Sequence, residues 1–121
     1  MHRRIFIAED ERDLLELYAE TFQICGHEVV GLAHNGAEAV ELFSRLERRP
    51  DVIIMDHRMP IKTGLEATLE ILRIDPSAKI IFASADQSVE QDALKAGIAR
   101  FISKPFDINI LVEDIEREHD A

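Results

Sequence analysis

The stretch Asp51-Val52-Ile53-Ile54-Met55-Asp56-His57-Arg58-Met59-Pro60 decides the fold. Its apolar run, Val52 to Met55, is continuous and rich in β-branched residues rather than alternating with polar ones. That is the pattern of a strand covered on both faces, as in the middle of a parallel sheet. The run delivers one acid, Asp56, into a loop closed by Pro60, so Asp56 sits at the strand's carboxyl end. In open α/β sheets the crevice outside the strand ends is where ligands bind. An aspartate after a strand is also a common turn or cap residue, so its meaning depends on what the rest of the chain brings to the same edge.

Outward from that strand, the chain repeats one unit. Arg4 to Ala8 is a short apolar run that stops at Glu9-Asp10-Glu11. Leu14, Tyr18, Phe22 and Cys25 then recur at helical spacing and end at Gly26, which predicts an amphipathic helix with a buried thiol. Glu28 to Leu32 reads as the second strand. Asn35 is a candidate N-cap with Glu38 three residues on, and Ala39, Val40, Phe43 and Leu46 form the buried stripe of the helix that Pro50 prevents from continuing. After Asp56, Gly64 leads into a helix with Leu65, Leu69 and Leu72 inward, stopped at Asp75-Pro76. Lys79 to Ala83 is the fourth strand, followed by Ser84-Ala85-Asp86 and a short helix through Val89, Ala93 and Leu94 to Gly97. Phe101-Ile102 belong to a fifth strand, followed by Ser103-Lys104-Pro105 and a last helix with Ile108, Leu111 and Ile115 inward.

Five strand-then-helix units imply a parallel sheet with right-handed crossovers and helices on both faces. The fold class is α/β, and a doubly wound five-stranded sheet is the default for a chain too short for an eight-unit barrel. The 121 residues are expected to form one domain, 1–121, burying roughly two thirds of the surface exposed on unfolding. The lone Cys25 forms no internal disulfide, no stretch approaches membrane-spanning length, and a cytoplasmic protein is expected. A net charge of −10 opposes direct nucleic-acid binding. His2, His27, His34, His57 and His119 lack zinc-ligand spacing and read as surface or loop residues.

In this fold the residues just past strands one, three, four and five converge: Glu9-Asp10, Asp56, Ser84 and Lys104. Carboxylates packed together resist desolvation unless a cation joins them. An oxygen-rich site with few protein ligands suits Mg2+ better than calcium, and the chain has no calcium-loop pattern. Lys104 adds a point charge and Ser84 a hydroxyl donor. Transfer of a phosphoryl group to a carboxylate needs in-line positioning and neutralised equatorial oxygens, so the set describes a phosphoryl pocket with Asp56 as nucleophile. Arg58, two beyond Asp56, and Asp86, two beyond Ser84, fall at the pocket mouth with opposite charges. Taken singly, Lys104, Ser84 and the Glu9-Asp10 pair each have a bland reading as solvated loop or turn residues.

Taken together, in this order, they resemble the receiver domain of two-component response regulators, over essentially the whole chain. The matching pieces are Glu9-Asp10, Asp56 with Met59-Pro60 and Gly64 behind it, Ser84-Ala85, and Lys104-Pro105-Phe106. The resemblance implies strand order 2-1-3-4-5 and a phosphoryl group received on Asp56 from a phosphohistidine on a sensor histidine kinase or histidine phosphotransferase. It implies magnesium ligation by Asp10, Asp56 and the backbone carbonyl of Arg58, with Glu9 acting through water. It also implies a switch made of Ser84 and Phe101, read on the face of helix four, strand five and helix five, and a tuning role in dephosphorylation for Arg58 and Asp86. Phe101 reads equally as a core residue. Glu9 departs from the aspartate more usual there, and Ser84 from threonine.

The resulting expectation is a phosphorylation-controlled switch, catalysing only its own phosphorylation and dephosphorylation, that acts on a downstream target protein or on a C-terminal output domain absent from this sequence. Three rivals were weighed. A phosphatase of the haloacid dehalogenase type wants a second aspartate where Arg58 stands. A flavodoxin-type phosphate loop wants hydroxyls and glycine where Glu9-Asp10-Glu11 would repel phosphate. A receiver-like interaction module that works without phosphorylation has no need of the intact acid, hydroxyl and lysine set.

Overall fold

The computed structural model describes residues 2–118. Strands and helices alternate as β1 (Arg4–Ala8), α1 (Arg12–Ile24), β2 (Glu28–Ala33), α2 (Gly36–Arg45), β3 (Val52–Asp56), α3 (Gly64–Ile74), β4 (Ile80–Ser84), a 3-10 turn (Gln87–Val89), α4 (Glu90–Ala96), β5 (Arg100–Ser103) and α5 (Ile108–Glu118). The five strands are parallel in the order β2-β1-β3-β4-β5, as the resemblance implies. β3 lies at the centre, and all five of its residues are buried.

The period-two geometry of the strands divides the core in two. Phe6, Ile53, Met55, Ile80 and Phe82 face α2, α3 and α4, meeting Ala39, Phe43, Ala67, Ile71 and Ala93. Ile5, Ile7, Val52, Ile54, Ile81 and Ile102 face α1 and α5, meeting Leu15, Tyr18, Phe22, Leu111 and Ile115. Local signals fix the helix ends. Asn35 Oδ1 accepts the Glu38 amide at 2.7 Å, Thr63 and Glu66 form a reciprocal capping box at α3, and α4 ends at Gly97 with φ 110°.

Several expectations are corrected. Cys25 is exposed, because α1 stops at Ile24 and the chain turns away at Gly26, leaving the thiol beyond the buried face. Leu69 is 43 % exposed. The inward stripe of α3 is Gly64, Ala67, Thr68 and Ile71, a helical phase set by Gly64 packing on β3, with Leu65 and Leu72 at its margin. Leu94 likewise lies mostly outside, while Val40, Leu46 and Ile108 are only partly buried. β4 runs one residue later than expected, so Ser84 ends the strand instead of following it.

His27 is buried, not superficial. Its Nδ1 accepts the Arg3 amide at 3.0 Å, which leaves Nε2–H to donate to Glu116 Oε2 at 3.2 Å. His57 is half-buried, and His119 lies outside the described residues.

Candidate phosphoryl and metal site

Four of the five parallel strands each supply one piece of the site at their carboxyl ends. Glu9 follows β1 directly and is held by its own amide, which donates to Ala33 O at the end of β2. Asp56 and Ser84 are the last residues of β3 and β4. Lys104 follows β5, its amide bonded to Ser84 O at 3.0 Å. Behind Asp56 the loop folds back so closely that a Cβ on Gly64 would stand 2.0 Å from the Asp56 carbonyl oxygen; only glycine permits this return.

The centre of the site is Lys104. Its Nζ donates to Asp56 Oδ1 at 2.8 Å and to Glu9 Oε1 at 2.9 Å. Ligand oxygens of Glu9, Asp10 and Asp56 all lie within 4.8 Å of one another, with Glu9 and Asp56 buried and Asp10 exposed. Burial pushes the Asp56 carboxyl above its ordinary pKa, Lys104 pulls it down, and the Asp10 charge adds to the rise. Glu9 is raised for the same leading reason, against the pull of Lys104 and with a contribution from Asp56. Burial opposes the Lys104 charge, but the hydrogen bonds from both carboxylates win and hold the ammonium above the ordinary lysine value. One ammonium is thus bonded to two members of a cluster of three acids. The excess negative charge and the oxygen donors fit a hard divalent cation.

Ser84 is buried, and its Oγ accepts the Asp86 amide at 2.9 Å, leaving the hydroxyl proton for a further acceptor. Asp86 caps the 3-10 turn through Ser88, and its Oδ2 lies 3.8 Å from Arg58 Nη2, so the two mouth residues do meet. Phe101 is half-buried, its ring stacked on Phe82 at 5.9 Å. Beside the acids, a cavity of about 420 Å³ runs between α1 and the chain after β5, walled by Leu14, Tyr18, Lys104, Phe106 and Ile108. Burial raises the Tyr18 phenol to about 12, so it stays neutral there.

Two features of the chain leaving Asp56 go beyond the sequence reading, which has His57 only as a surface or loop residue. His57 packs on Phe82, at 5.7 Å between ring centroids, and helps fix the chain leaving Asp56. Ile61 has φ 71°, the one positive value outside glycine among the described residues, and is 81 % exposed; the Lys62 amide bonds Pro60 O across it in a three-residue turn. The first had a signal, an aromatic ring directly after the acid. The second had none, since isoleucine disfavours that conformation.

An open parallel sheet whose carboxyl edge gathers three acids, a hydroxyl and a lysine defines a class of phosphoryl-handling α/β domains. Within that class, residues 5–116 match the family model of the response regulator receiver domain. The chemotaxis protein CheY of Thermotoga maritima is 40 % identical over 119 residues, covering 97 % of this chain and 98 % of the relative. CheY of Bacillus subtilis is also 40 % identical, with the same coverage. The solved structure of the response regulator protein TrrA from Thermotoga maritima, in complex with Mg(2+)-BeF, superposes with a TM-score of 0.84 at 32 % identity, covering 96 % of this chain and 98 % of that one. The chain belongs to the response regulator receiver domain family. It is a phosphorylation-dependent switch of two-component signalling, a signalling protein and not a conventional enzyme. Among the described residues, no helix is long and apolar enough to cross a membrane.

Proposed function

We propose that residues 1–121 act as a single receiver domain in the cytoplasm, accepting a phosphoryl group on Asp56 from a phosphohistidine of a sensor histidine kinase or histidine phosphotransferase. The observation that carries this reading is the placement of Lys104 between Asp56 and Glu9. With Oδ1 engaged by Lys104, Oδ2 of Asp56 is the oxygen that attacks phosphorus as the donor's phosphorus–nitrogen bond breaks. Lys104 neutralises charge on the transferred group, and Ser84 turns its free hydroxyl proton toward a phosphoryl oxygen.

Magnesium fits the donor set. Asp10, Asp56 and the Arg58 backbone carbonyl would hold it, with Glu9 reaching it through water; bound there, it neutralises the equatorial oxygens. Glu9 is tied to Lys104 and to the Glu11 amide, a geometry suited to an outer position. The domain catalyses its own phosphorylation and dephosphorylation, and its changed surface around Ser84 and Phe101 is read by a downstream target or an output domain.

The test is labelling with acetyl phosphate followed by intact-mass measurement. A single phosphoryl adduct is expected on the wild type with Mg2+, none after EDTA, and none on Asp56→Asn. Labelling that persists in Asp56→Asn, or that ignores EDTA, would overturn the assignment.

A further inference from the structure

From the loop behind Asp56 to the edge of the sheet runs a row of three rings. The His57 ring lies 5.7 Å from Phe82, tilted by 38°, and Phe82 lies 5.9 Å from Phe101, stacked at 20°. Phe82 and Phe101 are register partners on β4 and β5. We propose that His57 is a positioning residue which, through Phe82, couples the state of the Asp56 loop to the placement of Phe101. The proposal rests on Asp56 being the phosphoacceptor and adds a route besides the movement of Ser84.

The argument is one of where displacement can go. The chain leaving Asp56 has little slack, because the His57 carbonyl accepts the amides of both Met59 and Gly64, at 3.0 and 2.8 Å. Gly64 is in turn packed on the Asp56 carbonyl. The His57 ring is held on its other side by the Leu65 amide, which donates to Nδ1 in a long bond of 3.4 Å. Any rearrangement of residues 56–58 that brings the Arg58 carbonyl or Asp56 to a ligand therefore moves this ring against Phe82. Phe82 has no exposed surface and sits in the larger half-core beside Met59, Ala93 and Ile98. Close-packed interiors pass displacement on instead of absorbing it. Phe101, half-buried on an edge strand, is the first ring in the row with room to change rotamer. The imidazole contributes a flat face here and needs no change of charge.

The experiment uses the full chain labelled with fluorophenylalanine, whose six phenylalanines give separable fluorine resonances. Phe22, in the opposite half-core, is the internal control. Adding Mg2+ and beryllofluoride to the wild type is expected to shift the Phe82 and Phe101 resonances and leave Phe22 in place, while amide shifts at Ser84 report binding. His57→Tyr keeps a ring and should retain at least half of the Phe101 shift. His57→Asn keeps a hydrogen-bond acceptor without a ring and should lose most of it with Ser84 still responding; His57→Leu serves the same purpose if the asparagine variant does not fold. An equal Phe101 shift in the ringless variants overturns the route, as does a Phe101 resonance that stays still in a wild type whose Ser84 amide moves. Failure of Ser84 itself to respond in the wild type would instead overturn the Asp56 assignment, and the relay with it.

Discussion

The two edges of the sheet bury polar groups in opposite ways. At the amino edge, His27 accepts from the Arg3 amide and meets Glu116, and the Arg3 guanidinium donates to the Glu116 carbonyl, so one strand start and the last helix are joined by three hydrogen bonds. At the carboxyl edge, Lys104 pairs with Glu9 and Asp56 while Asp10 adds a third carboxylate to the cluster, and a β-branched residue nearby is held at positive φ. One edge pairs both nitrogens of its buried histidine from within the chain. The other leaves charge and strain standing, which is the condition of a site completed by something from outside.

The contrast predicts opposite signs for substitutions at the two edges. His27→Ala removes a buried ring and leaves the Arg3 amide without its acceptor, so a loss of about 2–4 kcal/mol is expected from chemical denaturation. Labelling of Asp56 by acetyl phosphate should be unchanged below the lowered midpoint. A His27 variant that folds normally but labels poorly would mean that the amino edge belongs to the site after all.

At the carboxyl edge the neutral isostere should stabilise. Burial holds the Asp56 and Glu9 pKa values above their ordinary range, so the folded chain binds protons that the unfolded chain has already released. For such groups stability falls as pH rises from the ordinary carboxylate value through the raised one, and the penalty is complete above it. In EDTA at neutral pH, Asp56→Asn should therefore melt higher than the wild type, by roughly 4 °C for each kcal/mol relieved. The gap should narrow as pH falls through that window, and added Mg2+ should raise the wild type but not the variant. A lower midpoint for Asp56→Asn in EDTA would show that the Lys104 pair outweighs the crowding.

These edges were not equally legible in the sequence. Strands β1, β3, β4 and β5 each end in a change from apolar to polar, so Glu9, Asp56, Ser84 and Lys104 could be placed together from order alone. The His27 network has no local signal: its partners stand 24 residues before it and 89 after it. Helix phase failed where large residues competed with small ones, as at Leu69, because close approach to the strands selects Gly64, Ala67 and Thr68. Cys25 was misread because helical spacing continues on paper past the point where the chain turns.

A smaller effect is expected at Ile61. Its side chain is almost wholly exposed, so no internal contact offsets the backbone strain of about 1–3 kcal/mol. Glycine removes the strain and adds about 0.5–1 kcal/mol of backbone entropy cost. Ile61→Gly should accordingly raise stability by up to about 2.5 kcal/mol, the strain relieved less the entropy cost, read as a higher denaturant midpoint at unchanged slope. A destabilised variant would place a packing role on that side chain.

The smallest effect on stability and the most specific on kinetics belongs to the mouth. Arg58 and Asp86 are 3.8 Å apart, with the arginine side chain 77 % exposed and the aspartate 26 %. An ion pair so open to solvent contributes little to stability. The partners are not equivalent. Ser88 hydrogen bonds hold Asp86 below the ordinary carboxylate pKa and fix it as the cap of the 3-10 turn, with Arg58 adding a smaller pull. We propose that Asp86 is the post and Arg58 the bar of a lid over the line along which water would approach an acyl phosphate on Asp56. Replacing Asp86 with alanine would also remove the cap, so the clean variants are Arg58→Ala and Asp86→Asn, the second of which keeps Oδ1 for Ser88. Each should leave the denaturant midpoint nearly unchanged and speed loss of phosphate several-fold at saturating Mg2+, followed by the decay of the intact-mass adduct. The double variant should decay no faster than the quicker single one, because either change alone opens the pair. Decay that is unchanged or slower would remove the lid while leaving Asp56 as the acceptor.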